Sequence, residues 1–152
     1  MKSINMQTAL RNLRLFSFLS IACWALPMSA AQEITVYKSP TCGCCQGWVD
    51  YLEDNGFEVL THNLDDMSEI KNRFGVSDEV KSCHTGIING YVVEGHVPAE
   101  DIKRLMTEKP DIVGISAPGM PMMSPGMASL VPKGYDVVQF DKNNNTEIYS
   151  EY

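Results

Sequence analysis

Three thiols stand within four residues at Cys42-Gly43-Cys44-Cys45, a fourth at Cys83 is followed directly by His84, and His96 sits in Glu94-Gly95-His96-Val97-Pro98. Methionines gather later, at Met120, Met122, Met123 and Met127. Thiolate, imidazole and thioether together are the donor set that favours Cu(I) over hard cations. Met usually fills gaps in cores. Here, however, no helical or alternating period fits the four methionines, and Pro118, Gly119, Pro121, Pro125 and Gly126 surround them. The candidate metal ligands are therefore Cys42, Cys44, Cys45, Cys83, His84 and His96, with Met120, Met122 and Met127 from the methionine stretch.

Two other fates of the cysteines stand beside this one. Of the five cysteines, the four beyond Cys23 of the apolar leader are an even number, which in an exported chain first suggests disulfides, yet Cys44 and Cys45 are adjacent and suit no structural staple, while a Cys42–Cys45 bridge reads as a redox pair. Zinc accepts three cysteines and a histidine, but its knuckles usually space paired cysteines by two to four residues, and zinc has no use for thioethers.

The elements that position these groups are legible in the pattern. A strand is expected at 34–37 and a helix at 43–55, with Thr41 as its cap, Trp48, Val49 and Leu52 as its buried stripe and Gly56 as its left-handed stop. The cysteine cluster then lies at a helix N-terminus, where free amides and the helix dipole favour thiolate. A strand at 57–62 and a short helix at 66–74, carrying Met67, Ile70 and Phe74 and stopped by Gly75, complete a β-α-β-α opening. Asn89-Gly90 between 85–88 and 91–94 is a strong hairpin signal. Pro98 opens a helix that carries Ile102, Leu105 and Met106 inward and ends before Pro110.

This β-α-β-α-β-β-α order is that of an α/β, thioredoxin-like domain. A right-handed crossover makes the first two strands parallel, and the third runs antiparallel to the first. The third strand then begins where the first ends, so Cys83-His84 should lie beside the Cys42–Cys45 cluster, with His96 at the same end. His62 reads as a surface residue at a strand end. Residues 111–127 read as a rigid loop, in which Pro118-Gly119-Met120 is echoed by Pro125-Gly126-Met127, forming a lid over the metal site. A C-terminal hairpin, 135–140 and 146–149, should extend the sheet edge.

Lys2, Arg11 and Arg14 precede the apolar run 15–26, and Ser29-Ala30-Ala31 offers small residues for cleavage, so residues 1–31 read as an export signal. One domain follows, 32–152, comprising the thioredoxin-like core, the methionine-rich loop at 111–134 and the hairpin at 135–152. The apolar run is too short for a membrane span. A lipid anchor on Cys23 would need a lipobox that Ser20-Ile21-Ala22 makes poorly. The mature chain is thus expected in the periplasm, without membrane insertion. Without its three leader cations, the chain keeps 9 of its 12 Lys+Arg against 19 Asp+Glu. That balance argues against nucleic acid, whose phosphates need clustered cations, and is compatible with cations as ligands.

The Ser39-Pro40-Thr41-Cys42-Gly43-Cys44-Cys45 run with Trp48 behind it, Ser82-Cys83-His84-Thr85, Glu94-Gly95-His96-Val97-Pro98, and the Pro-Gly-Met-Pro and Ser-Pro-Gly-Met segments resemble, together and in this order, the periplasmic CopG-type copper-resistance proteins. The resemblance covers about 34–140. It implies a thioredoxin-like fold, copper held by Cys42, Cys44, Cys45, Cys83 and His84, and work alongside other periplasmic copper-handling proteins. This chain departs from the relatives at Tyr51, where a histidine is frequent, and at Met123 and Ala128, where glycine and an acid are frequent.

The leading expectation is a protein that binds Cu(I), as one ion or several, in copper homeostasis and resistance. The alternative is a thiol–disulfide or copper oxidoreductase that cycles Cys42 and Cys45, although His84-Thr85 stands where such enzymes carry a cis-proline. A zinc-stabilised module comes third.

Overall fold

A computed structural model describes residues 31–127 and 131–152; the predicted export signal, up to residue 30, lies outside the described residues. The chain forms β1 (Gln32–Lys38), α1 (Gly43–Asp54), β2 (Phe57–Asn63), α2 (Ser68–Arg73), β3 (His84–Ile88), β4 (Tyr91–Glu94), α3 (Ala99–Glu108), β5 (Gly114–Ser116), β6 (Asp136–Phe140) and β7 (Thr146–Glu151). The β-α-β-α-β-β-α order expected from the sequence is present, and the α/β architecture holds. One seven-stranded sheet has the order β2-β1-β3-β4-β5-β6-β7. β1 runs parallel to β2 and antiparallel to β3, in a register that sets Lys38 opposite His84.

Alternation along the central strands divides the molecule into two apolar layers. Ile34, Val36, Ile88 and Val93 pack under α1 and α3 with Trp48, Leu52, Ile102 and Leu105, all at most 1 % exposed. Val92 and Phe140 turn to the other face and meet Val76 and Val80, with Phe74 and Ile87 beside them. Burial of each such side chain contributes roughly 1.5–3 kcal/mol, so the helices are fixed to the sheet by apolar contact. Among the described residues, no helix is long and apolar enough to cross a membrane.

Three local expectations are corrected. Thr41 does not cap α1: Cys42 holds that position in extended backbone without a side-chain cap, and the Thr41 hydroxyl pairs instead with Ser39, 3.1 Å away. The second helix is only Ser68–Arg73 and buries no residue, so Met67, Ile70 and Phe74 contribute partly covered surface. The segment expected as a loop from 111 contains β5, parallel to β4 and antiparallel to β6. Gly114 admits that pairing because a Cβ there would enter the Val92 carbonyl. The C-terminal hairpin therefore extends the sheet through β5.

Candidate metal centre

Cys42 ends the loop after β1, and Cys44 and Cys45 occupy the first turn of α1. Because no side chain caps that turn, its amides keep no side-chain acceptor. Cys42 and Cys45 are joined as a disulfide across Cα atoms 5.3 Å apart, leaving Cys44 and Cys83 as free thiols. The Cys44 sulfur is 3.5 Å from that of Cys42. Antiparallel pairing of β1 with β3 then delivers Cys83 to the same rim, and the sulfurs of Cys42, Cys44, Cys45 and Cys83 lie within 4.8 Å of one another.

Cys83 also belongs to a second group, with His84 and His96, whose donor atoms again lie within 4.8 Å of one another. Its Sγ is 3.4 Å from His84 Nδ1 and 3.3 Å from His96 Nε2. His96 Nδ1–H donates to the Pro125 carbonyl at 2.7 Å, which fixes the tautomer and leaves the Nε2 lone pair facing Cys83. His84 is fully buried, its ring centroid 4.3 Å from that of Trp48, and its Nε2 has no hydrogen-bond partner among the described residues. A buried nitrogen left without a partner is costly in a folded protein.

Burial holds His84 well below its ordinary pKa, with His96 and the ammonium groups of Lys71 and Lys38 acting in the same direction. Burial likewise lowers His96, against the opposing hydrogen bond to Pro125. Both rings are thus neutral and able to ligate near pH 7. Burial, then the neighbouring Cys44, pushes the Cys83 thiol up to about 11. Near pH 7 the thiol therefore keeps its proton.

Two halves of the methionine segment strap this site. Gly119 bonds through its amide to the Lys81 carbonyl, and its own carbonyl accepts from the Ser82 hydroxyl, next to Cys83. Gly126 lies against Gly47 and Trp48: a Cβ on Gly47 would stand 2.8 Å from the Gly126 carbonyl oxygen. Each Pro-Gly-Met thereby touches one cysteine-bearing segment, and Pro125 of the second orients His96. Met120 and Met122 are 57 % and 65 % exposed, Met123 is 41 % exposed and Met127 is partly covered. His62 is on the exposed side of β2, stacked on Tyr37.

Two supports were not legible from the motifs. Glu94, fully buried, pairs with Lys71 and accepts from the Ser82 amide at 2.6 Å and the Thr85 hydroxyl at 2.7 Å. It ties α2 and β3 to the residue that precedes Cys83. Trp48 donates from its indole to the Val97 carbonyl at 2.9 Å and so holds its ring over His84. The adjacency of Glu94 to Gly95-His96 was the available signal; its burial was not readable from its polarity.

A family model described as a protein of unknown function, DUF411, matches residues 80–127, the stretch with Cys83, His84, His96 and the strap. No curated protein matches the chain. Two solved structures, described as copper resistance protein CopG form 1 and form 2, each share 45 % identity with it and superpose with a TM-score of 0.74. Each comparison covers 80 % of this chain and 98 % of the other.

Proposed function

The chain belongs to the CopG family of copper resistance proteins, and from that premise we propose that it is an exported copper-binding protein that holds Cu(I) in the periplasm. The observation that carries the reading is the convergence of four sulfurs and two neutral imidazoles through the shared residue Cys83. Cys44, Cys83, His84 and His96 supply the donors, joined by Cys42 and Cys45 when their bridge is reduced. Sulfur can also bridge more than one ion. Neutral imidazoles and thiols that lose protons on binding suit a soft monovalent cation. The strap covers the site, and its thioethers at Met120, Met122 and Met127 offer further soft contacts for Cu(I) entering or leaving, including exchange with other periplasmic copper-handling proteins.

The test is competition for Cu(I) between the reduced protein and a chromophoric Cu(I) chelator, with thiolate-to-copper charge-transfer absorption followed in the ultraviolet. Retention of Cu(I) with that band is expected. Loss of all Cu(I) to the chelator, with tight zinc binding instead, would overturn the reading.

One observation favours a second reading. The Cys44 sulfur stands 3.5 Å from Cys42 of the disulfide, within reach for thiol–disulfide exchange. Oxidation of the Cys42/Cys45 dithiol releases two electrons and two protons, which would reduce two Cu(II) ions to Cu(I). Stopped-flow mixing of the reduced protein with Cu(II), compared with Cys42→Ser, distinguishes this from simple binding by a cysteine-dependent rate of Cu(I) appearance.

A further inference from the structure

With Cys42 and Cys45 joined to each other, Cys44 and Cys83 are the free thiols among the described residues, and their sulfurs lie within 4.8 Å of one another. A disulfide holds its sulfurs at about 2 Å, so a small movement separates this pair from a bond. Neither residue sits inside an element that would resist it. Cys44 is in the first turn of α1, whose cap residue makes no side-chain hydrogen bond, and Cys83 precedes β3. Both are partly exposed, within reach of a small oxidant. Disulfides form and persist in oxidising compartments, the destination implied by the export signal read at residues 1–31.

We propose that Cys44 and Cys83 form a second, reversible disulfide, which ties the start of α1 to the start of β3 and closes the centre to soft cations. In the bonding step, one thiolate of the pair attacks a small-molecule disulfide of the glutathione class, forming a mixed disulfide and releasing one small thiolate. The other protein thiol then gives up its proton and displaces the second small thiol. Two protein thiols are oxidised to one disulfide, and one external disulfide is reduced to two thiols. Cys83 contributes to both donor groups, so the bond withdraws sulfur from each. The first bridge leaves the centre two thiols and the second leaves it none. The bond is independent of the copper reading above; its effect on Cu(I) rests on that reading.

The experiment equilibrates the reduced, metal-free protein with mixtures of oxidised and reduced glutathione, blocks remaining thiols by alkylation and digests with trypsin without reduction. Cleavage after Lys38, Lys71, Lys81 and Lys103 separates segment 39–71, with Cys42, Cys44 and Cys45, from segment 82–103, with Cys83. Mass spectrometry should find the two segments linked once the buffer is oxidising. The link should be lost in Cys44→Ser and kept when Cys42→Ser and Cys45→Ser are combined. Fragment spectra of the parent locate the bond at Cys44 whether or not the variants fold. No link at full oxidation, a bond from Cys83 to Cys42 or Cys45 instead, or a link confined to covalent dimers overturns the inference. The doubly bridged protein should cede its Cu(I) to a chelator concentration that leaves the reduced protein loaded; equal retention overturns the closure. A linked protein whose reduced form fails to hold Cu(I) overturns the copper reading and leaves the second disulfide standing.

Discussion

The sulfur of Cys83 faces His96 Nε2 at 3.3 Å while the opposite nitrogen of the same ring is held by the Pro125 carbonyl. The strap therefore orients a ligand it does not itself contain. His96→Ala removes both a donor and its orienting contact and should lower Cu(I) affinity by about 10–100-fold, the usual effect of disturbing a ligand and its support. Chelator competition reads the change. An unaltered affinity would remove His96 from the ligand set.

Acid should destabilise the metal-free protein through His84. Its folded pKa is depressed by burial, so its contribution is fully present above the unfolded value near 6.5 and is lost as pH falls toward the folded value. Below about pH 6.5 the slope reaches at most about 1.4 kcal/mol per pH unit for this one group. Urea unfolding between pH 7.5 and 5 should show a shallower decline for His84→Phe than for the parent, with His96 still contributing in the same direction. Parallel declines would contradict the assignment.

Glu94→Gln should destabilise the domain by about 3–5 kcal/mol, because it leaves Lys71 covered and without its anion. Adding Lys71→Met should recover most of that loss. Denaturant midpoints of the two single variants and the double variant measure the coupling. Simple additivity would mean that the pair does not act as a unit.

Gly126 has φ of +81° and lies against the backbone of Trp48, so Gly126→Ala combines a left-handed conformation with a collision. The strain is on the order of 1–3 kcal/mol, and lifting the strap relieves the collision. Alkylation of Cys83 by iodoacetamide in the metal-free variant should therefore be several-fold faster than in the parent. An unchanged rate would mean that the strap does not guard Cys83.

Met120→Leu combined with Met127→Leu should weaken Cu(I) retention without lowering the melting temperature of the metal-free domain, since Met120 is largely exposed and leucine replaces Met127 at similar volume. Retention equal to the parent's would return the loop to a packing role.

Much of this arrangement was readable from local chemistry. Asn89 and Gly90 both have positive φ, at 47° and 88°, as their hairpin requires, and Gly56 ends α1 at 88°. The apolar spacing of Ile102, Leu105 and Met106 placed α3, and strand direction alone brought Cys83 to Cys42. What escaped depends on tertiary neighbours. Three residues at Gly114–Ser116 carry no periodic signal, and their pairing is supplied by β4 and β6. Lys38 and Glu94 have side chains whose polarity predicts exposure, and only the sheet register and the approach of α2 enclose them. Ser39 competed for the Thr41 hydroxyl, which local capping rules do not anticipate.

Among the described residues, Cys83 alone is common to the all-sulfur group and the sulfur–imidazole group. It is thus a junction with no bypass. A single adduct or irreversible oxidation at that atom would divide the centre into a helix-borne half and a histidine-borne half, each lacking the shared donor, while the apolar layers that hold the domain together stayed untouched.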